Sequence, residues 1–260
     1  MILKKIKTAS PFIDQKITLK SFYFFNEKHN LALENKPNFF YSYLENQDIF
    51  STAKIIPKCF ALKLALIIIE TIRENTINLT AHKNFPKNFY EICLKKISAF
   101  NKATKDKDLL IIYIKQLLNI LKRGDLIKFK AKKAFIPQEE NLKEEKLYIK
   151  LFNSFWNKVK WEEIFPSNPE AANKLKINRS FMKDLLLNSG PKISLDSLAN
   201  DFFDLTGFGP KNNLVLISFL DFYFFTWLKH FGIISYYKNS TNSPVYIETT
   251  PQGKKILQIF

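Results

Sequence analysis

The sequence predicts a mainly helical α+β fold, with small β-hairpins, in which two copies of one pattern follow each other. Three observations predict it. Trp227 to Tyr237 ends an apolar helix, passes Gly232 and becomes a strand; a polar tip, Lys238 to Pro244, then leads to a second strand, Val245 to Thr249. The same order of helix, glycine, strand, tip and strand occurs around Gly124. Each copy also begins with a helix, a brief extended stretch and a second helix, so the repeat is one of pattern rather than residue identity.

The bulk composition agrees. A chain of 260 residues has room for two domains of ~100–150 residues each, and 46% apolar residues supply their cores. Met1 to Thr8 carries lysines with no apolar run behind them, which predicts no secretory signal. Leu214 to Leu228 is interrupted by Asp221 and falls short of the ~20 apolar residues of a membrane span, so it reads as a buried helix and no membrane association is expected. Cys59 and Cys93 fall in predicted helices without metal-ligand spacing, as reduced thiols of a cytoplasmic protein would.

Taken in order, residues 1–50 form an aromatic-rich N-terminal extension, with Phe22 to Phe25 and Phe39 to Tyr41 separated by polar turns. Residues 51–140 form the first domain. Leu62, Leu64, Leu66, Ile67, Ile69 and Ile72 mark a largely buried helix from Pro57 to Glu74. Ile77 to Thr80 is extended, and Pro86 starts a helix in which Phe89, Cys93 and Ile97 share one face and Lys87, Glu91 and Lys95 the other. A longer helix runs from Asp108 to Lys122 and Gly124 stops it. Leu126 to Lys130 and Ala134 to Ile136 are strands around a lysine tip. Residues 141–175 form a bridging helix, centred on Leu147 to Phe165, and a linker at Pro166 to Pro169. Residues 176–260 form the second domain: a helix at Phe181 to Leu187, a strand at Lys192 to Leu195, a helix at Asp196 to Phe203, the loop Thr206 to Pro210, and the long apolar helix to Lys229. Thr250-Pro251 opens a closing helix, with proline where a missing N–H costs nothing.

Ile193-Ser194-Leu195-Asp196-Ser197-Leu198-Ala199 resembles the winged-helix superfamily, in which a strand residue, a capping aspartate and a small residue at the helix crossing recur. Leu79-Thr80 with Asn84 and Pro86 is similar to a segment of uncharacterised bacterial proteins, where Leu-Thr, Asn and Pro recur between two helices. The resemblance spans residues 57–260 and implies two tandem winged-helix-like domains. In DNA-binding members the third helix enters the major groove of double-stranded DNA and the wing reaches phosphate.

The net charge of +16 fits a polyanionic partner, but 37 of the 40 basic residues are lysine, a bias that an AT-rich genome would also produce. Its distribution is uneven: residues 51–140 hold 18 basic and 8 acidic side chains. The expected nucleic-acid-binding set lies there. Lys115, Asn119 and Lys122 fall at i, i+4 and i+7 on the third helix; Lys128 and Lys130 share a strand face; Lys132 and Lys133 extend the tip; Lys102, Lys105 and Lys107 precede the helix. An ordinary solvated lysine face accounts for the same pattern. In the second copy the third helix is apolar on nearly every side and its one charge before Lys229 is Asp221, which would repel phosphate. It is expected to be covered by the bridging helix, the N-terminal extension or a partner subunit.

No catalytic constellation is legible. His29, His82 and His230 lie in three separate regions, Gly207-Phe208-Gly209 lacks the third glycine of a phosphate cradle, and Glu139-Glu140, Glu144-Glu145 and Glu162-Glu163 read as solvated pairs. The expectation is a non-enzymatic, nucleic-acid-associated protein without metal or cofactor. The rival is a protein–protein interaction or scaffold protein, with a protein partner or homodimer formed through the Leu214–Trp227 helix.

Overall fold

The computed structural model describes residues 59–82, 84–100, 107–137, 144–166, 169–188, 190, 192–209, 213–237 and 246–260. The N-terminal extension, Lys102 and Lys105, and the second polar tip lie outside them. The described chain is mainly helical, with two small antiparallel sheets, and it divides into two compact units at Ile164/Phe165.

The first unit opens with α1, Phe60–Glu74. Cys59 caps it, its Sγ accepting from the Leu62 N–H at 3.3 Å, so this cysteine precedes the helix instead of lying within it. β1 (Ile77–Asn78), α2 (Lys87–Phe100), α3 (Lys107–Arg123), β2 (Lys128–Lys130) and β3 (Lys133–Phe135) follow. Phe89, Cys93 and Ile97 are buried on α2, and Lys87, Glu91 and Lys95 are exposed. The loop before α2 closes on itself: the Thr80 N–H donates to the Asn84 carbonyl, and the Asn84 N–H donates to Thr80 Oγ1. The threonine hydroxyl thus has a local use, while Asn84 takes part through its backbone.

The segment expected as a bridge packs into this first unit. It is not one helix but α4 (Glu144–Asn153), a π-helical turn (Ser154–Lys158) and α5 (Trp161–Ile164). α4 lies on α1, and the π turn and α5 lie on α3. Phe152 stacks on Trp156 at 5.6 Å and Phe155 on Trp161 at 5.3 Å, all four buried. The π turn comes so close to the end of α3 that a Cβ on Gly124 would meet Ser154 Oγ at 2.2 Å. A side chain at Gly124 would displace the Ser154 hydroxyl from its bond to the Lys150 carbonyl, while Asp125 takes the left-handed conformation (φ 59°) at the helix end.

The second unit contains α6 (Pro169–Ile177), α7 (Arg179–Asn188), β4 (Ile193–Ser194) and α8 (Leu195–Thr206). α9 (Asn213–Leu220) runs through a π turn (Asp221–Phe225) into α10 (Thr226–His230), followed by β5 (Ile234–Tyr237), β6 (Tyr246–Thr249) and α11 (Pro251–Ile259). Ser194, not Asp196, caps α8: its Oγ accepts from the Ser197 N–H at 3.0 Å. Asp196 sits in the first turn, where its charge favours the helix dipole. Ala199 is fully buried in α8, which packs on α7.

The two sheets share one topology. In each, the last strand lies between the other two, β1-β3-β2 and β4-β6-β5, all antiparallel. The long helices also end alike. Gly124 bonds Ile120, Asp125 bonds Lys122 and Leu126 bonds Leu121; Phe231 bonds Trp227, Gly232 bonds Lys229 and Ile233 bonds Leu228. The counterpart of Gly232 is therefore Asp125, one residue beyond Gly124.

Candidate nucleic-acid interface

Six basic residues of the first unit, Lys122, Arg123, Lys128, Lys130, Lys132 and Lys133, lie at the end of α3 and on the hairpin that follows. β2 and β3 pair Lys128 with Phe135, Phe129 with Ala134 and Lys130 with Lys133. Strand alternation then sorts the side chains by face. Ile77, Ala134 and Phe129 share the inner face; Asn78, Lys128, Lys130, Lys133 and Phe135 share the outer one. Lys128, Lys130, Lys132 and Lys133 are all exposed, and residues 126–135 contain no acidic side chain.

Two features of this hairpin cost stability. Lys130 and Lys133 are directly opposed, and like charges in that position repel. The two-residue turn places Ala131 at φ 47° and Lys132 at φ 60°, conformations that asparagine and glycine adopt most readily. A tight, strained turn thus presents a lysine at its tip and three more on its strands.

On α3 the expected basic face is divided. Lys107 and Lys115 are exposed and line a cavity of about 730 Å³ between α2 and α3, where Lys115 Nζ lies 5.8 Å from the Tyr90 ring centroid. Lys122 Nζ lies 5.6 Å from the centroid of Phe129. Asn119 is not part of a free face. Its Nδ2 donates to the Glu163 carbonyl at 3.0 Å, and Gln116 Nε2 donates to the Ile164 carbonyl at 2.9 Å. Arg123 grips the Glu163 carboxylate with both Nε and Nη2. These bonds hold the Glu163 carboxyl below its ordinary range, chiefly through the Arg123 hydrogen bond. The α3 face carrying Gln116, Asn119 and Arg123 is therefore occupied by α5.

Sequence reasoning missed Phe129 and Phe135, each 39% exposed on the lysine hairpin. The alternation Lys128-Phe129-Lys130 was the available signal, since a phenylalanine between two lysines on a strand lies on the opposite face from both. It also missed the polar centre of the second unit. Asp221 is fully buried and accepts from the Tyr236 hydroxyl. Burial pushes its carboxyl up to about 8, outweighing the opposing pulls of Tyr236, Lys229 and Thr226. The aspartate expected to repel phosphate is thus a neutral acid in the interior. Leu216, Ile217, Phe219, Leu220, Phe224, Phe225 and Trp227 of the same helix are buried, with α8 and α6 packed against it.

The remaining groups have local uses. His82 is exposed in the loop before α2, whereas His230 is buried, and burial lowers its imidazole well below the ordinary value. Gly207 ends α8 in the left-handed conformation, its N–H donating to the Phe203 carbonyl. Burial raises the Cys59 and Cys93 thiols to about 12 and about 11. No described helix is long and apolar enough to cross a membrane. No family model, curated protein or solved structure matches the chain.

Proposed function

We propose that the chain is a tandem winged-helix protein that associates with nucleic acid without catalysis, cofactor or metal, inside the cell. The shared order helix–strand–helix–helix–strand–strand, with the last strand central in both sheets, supports the winged-helix assignment. The observation that carries the functional reading is the hairpin of the first unit. Four lysines stand on a strained turn with no acid in the segment, and two of them are directly opposed. Such a site is stabilised by whatever neutralises it, and phosphate backbones do so by releasing their counterions. The contacts expected are Lys128, Lys130, Lys132 and Lys133 with Lys107, Lys115 and Lys122 alongside; Asn119 is left out because its amide is engaged. Lysine without arginine favours binding weak in sequence preference. The rival reading, a scaffold or interaction protein working through the Leu214–Trp227 helix, draws less support, since Leu216, Ile217, Phe219, Leu220, Phe224, Phe225 and Trp227 of that helix are buried.

The test is fluorescence anisotropy of labelled nucleic acid, titrated at several salt concentrations. Affinity should fall steeply with salt, and the combined change of Lys128, Lys130, Lys132 and Lys133 to Glu should abolish binding while leaving the helical circular dichroism intact. Unchanged binding in that variant would refute the assignment.

A further inference from the structure

We propose that the outer face of the β2–β3 hairpin is a stacking platform for an unpaired nucleic-acid strand. Phe135 takes a base, and Lys128, Lys130 and Lys133 take the phosphates on either side. The inference rests on the nucleic-acid reading and narrows it from nucleic acid in general to single strands.

The pairing register puts these four side chains on one face. Phe135 is the cross-strand partner of Lys128 and lies two residues from Lys133, which is itself opposite Lys130. Asn78 of β1, paired with Lys133, adds an amide to the same face. The hairpin's two aromatic rings are equally exposed, at 39%, but among the described residues only Phe129 meets another ring or a cation. Phe129, on the inner face, meets Phe85 edge-on at 6.2 Å and lies under Lys122. Among the described residues, no ring or cation lies against Phe135 in that way. A large apolar ring, 39% exposed, thus stands in the middle of a cationic patch.

Duplex DNA would make poor use of this arrangement. Its bases are stacked on one another and show only their edges, so an exposed ring gains nothing that the lysines do not already supply. An unpaired base offers its π-face, and stacking on an aromatic side chain is favourable for any base. The third helix, the element that would read a major groove, has Gln116, Asn119 and Arg123 committed to Ile164 and Glu163. Readers of duplex sequence are therefore withdrawn, while Lys128, Lys130, Lys133 and Phe135, which would grip a single strand, are exposed. A backbone lying between Lys130 and Lys133 would also remove their mutual repulsion, which selects a polyanion over any neutral occupant.

The experiment compares a labelled oligothymidylate with a duplex of equal length, using the full chain at matched salt. The single strand should bind more tightly. Phe135→Ala should weaken single-strand affinity by roughly 5- to 100-fold and leave duplex affinity unchanged. Phe135→Leu, which keeps apolar bulk and loses the π-face, should behave like the alanine variant and carries the test if that variant misfolds. Phe135→Trp should retain affinity, and its indole fluorescence should be quenched by the oligonucleotide. A preference for duplex, or single-strand affinity unmoved by Phe135→Ala and Phe135→Leu, would remove the platform and leave the nucleic-acid reading standing. Failure of both probes to bind at low salt would overturn that reading, and the platform with it.

Discussion

Lys122 Nζ stands 5.6 Å from the centroid of the Phe129 ring, and Lys229 Nζ stands 5.3 Å from that of Tyr236. The two pairs occupy equivalent places, since the helix ends between them are closed by the same three backbone bonds. In each unit a lysine in the last turn of the long helix covers an aromatic residue in the strand that follows. The phenylalanine is half open, whereas the tyrosine hydroxyl reaches Asp221 in the interior. One arrangement has thus been kept at a surface in the first unit and tied to a buried polar centre in the second. Truncating Lys122 to Ala should cost the first unit only about 0.5–1 kcal/mol, the usual worth of an exposed cation–π contact, as read from the urea midpoint.

The turn offers a sharper test. Lys132 adopts φ 60°, which glycine reaches without penalty. Lys132→Gly should therefore stabilise the first unit by about 1 kcal/mol in denaturant unfolding. The same variant should lose affinity for nucleic acid, with the log–log salt slope smaller by about one. A gain in stability coupled to a loss in binding would show that the strain is maintained for the lysine. Parallel losses would show that Lys132 is structural.

Asn119 gives the opposite expectation. Its amide holds the Glu163 carbonyl, so Asn119→Ala should destabilise the first unit by about 1–2 kcal/mol and leave nucleic-acid affinity unchanged once the variant is folded. Anisotropy below the unfolding transition checks it.

Asp221 makes the second unit sensitive to pH. Its carboxyl titrates near 8 when folded against an ordinary value of 3.8, so the folded form holds its proton more tightly than the unfolded chain. That contribution is complete below the unfolded value, declines as pH rises from about 4, and is lost once pH passes through about 8. Asp221→Asn should flatten this decline and raise stability near pH 8 by on the order of a few kcal/mol. His230 acts in the other direction. It is buried neutral, so its contribution is present above 6.5 and is lost as pH falls through its depressed folded value. Thermal unfolding across pH 5 to 9, about the range such scans cover, resolves both.

Gly253 is fixed by backbone proximity. A Cβ there would lie 2.1 Å from the Ile233 carbonyl oxygen. Thr250 secures the same junction, donating its N–H to that carbonyl and its hydroxyl to Gly232. Gly253→Ala should destabilise the second unit by about 2–4 kcal/mol, visible as a lowered thermal midpoint.

Much of this architecture was legible because burial follows local periodicity. Phe89, Cys93 and Ile97 announce the inner face of α2, and Thr250-Pro251 announces the closing helix and supplies its cap. What escaped the sequence depends on distant partners. Nothing near Asn119 signals that Glu163 will cover it, so an i, i+4, i+7 polar row looked free when α5 had claimed part of it. The π turn at Ser154, which lies against Gly124, interrupts a pattern that reads as one helix. Helix ends were displaced by a residue or two for a related reason. Ser194 and Asp125 occupy positions set by backbone conformation, and the neighbouring Asp196 and Gly124 have the residue types that usually mark them.

The central place of the last strand in each sheet bears on how the chain is made. Neither β1 nor β2 can be hydrogen-bonded into its sheet before β3 exists, and β4 and β5 wait in the same way for β6. During synthesis each unit therefore remains a set of helices without a finished sheet until its final strand has left the ribosome. Completion comes in two separate closures, one after Phe135 and one after Thr249, and a chain interrupted ahead of either leaves two strands with exposed edges and no template between them.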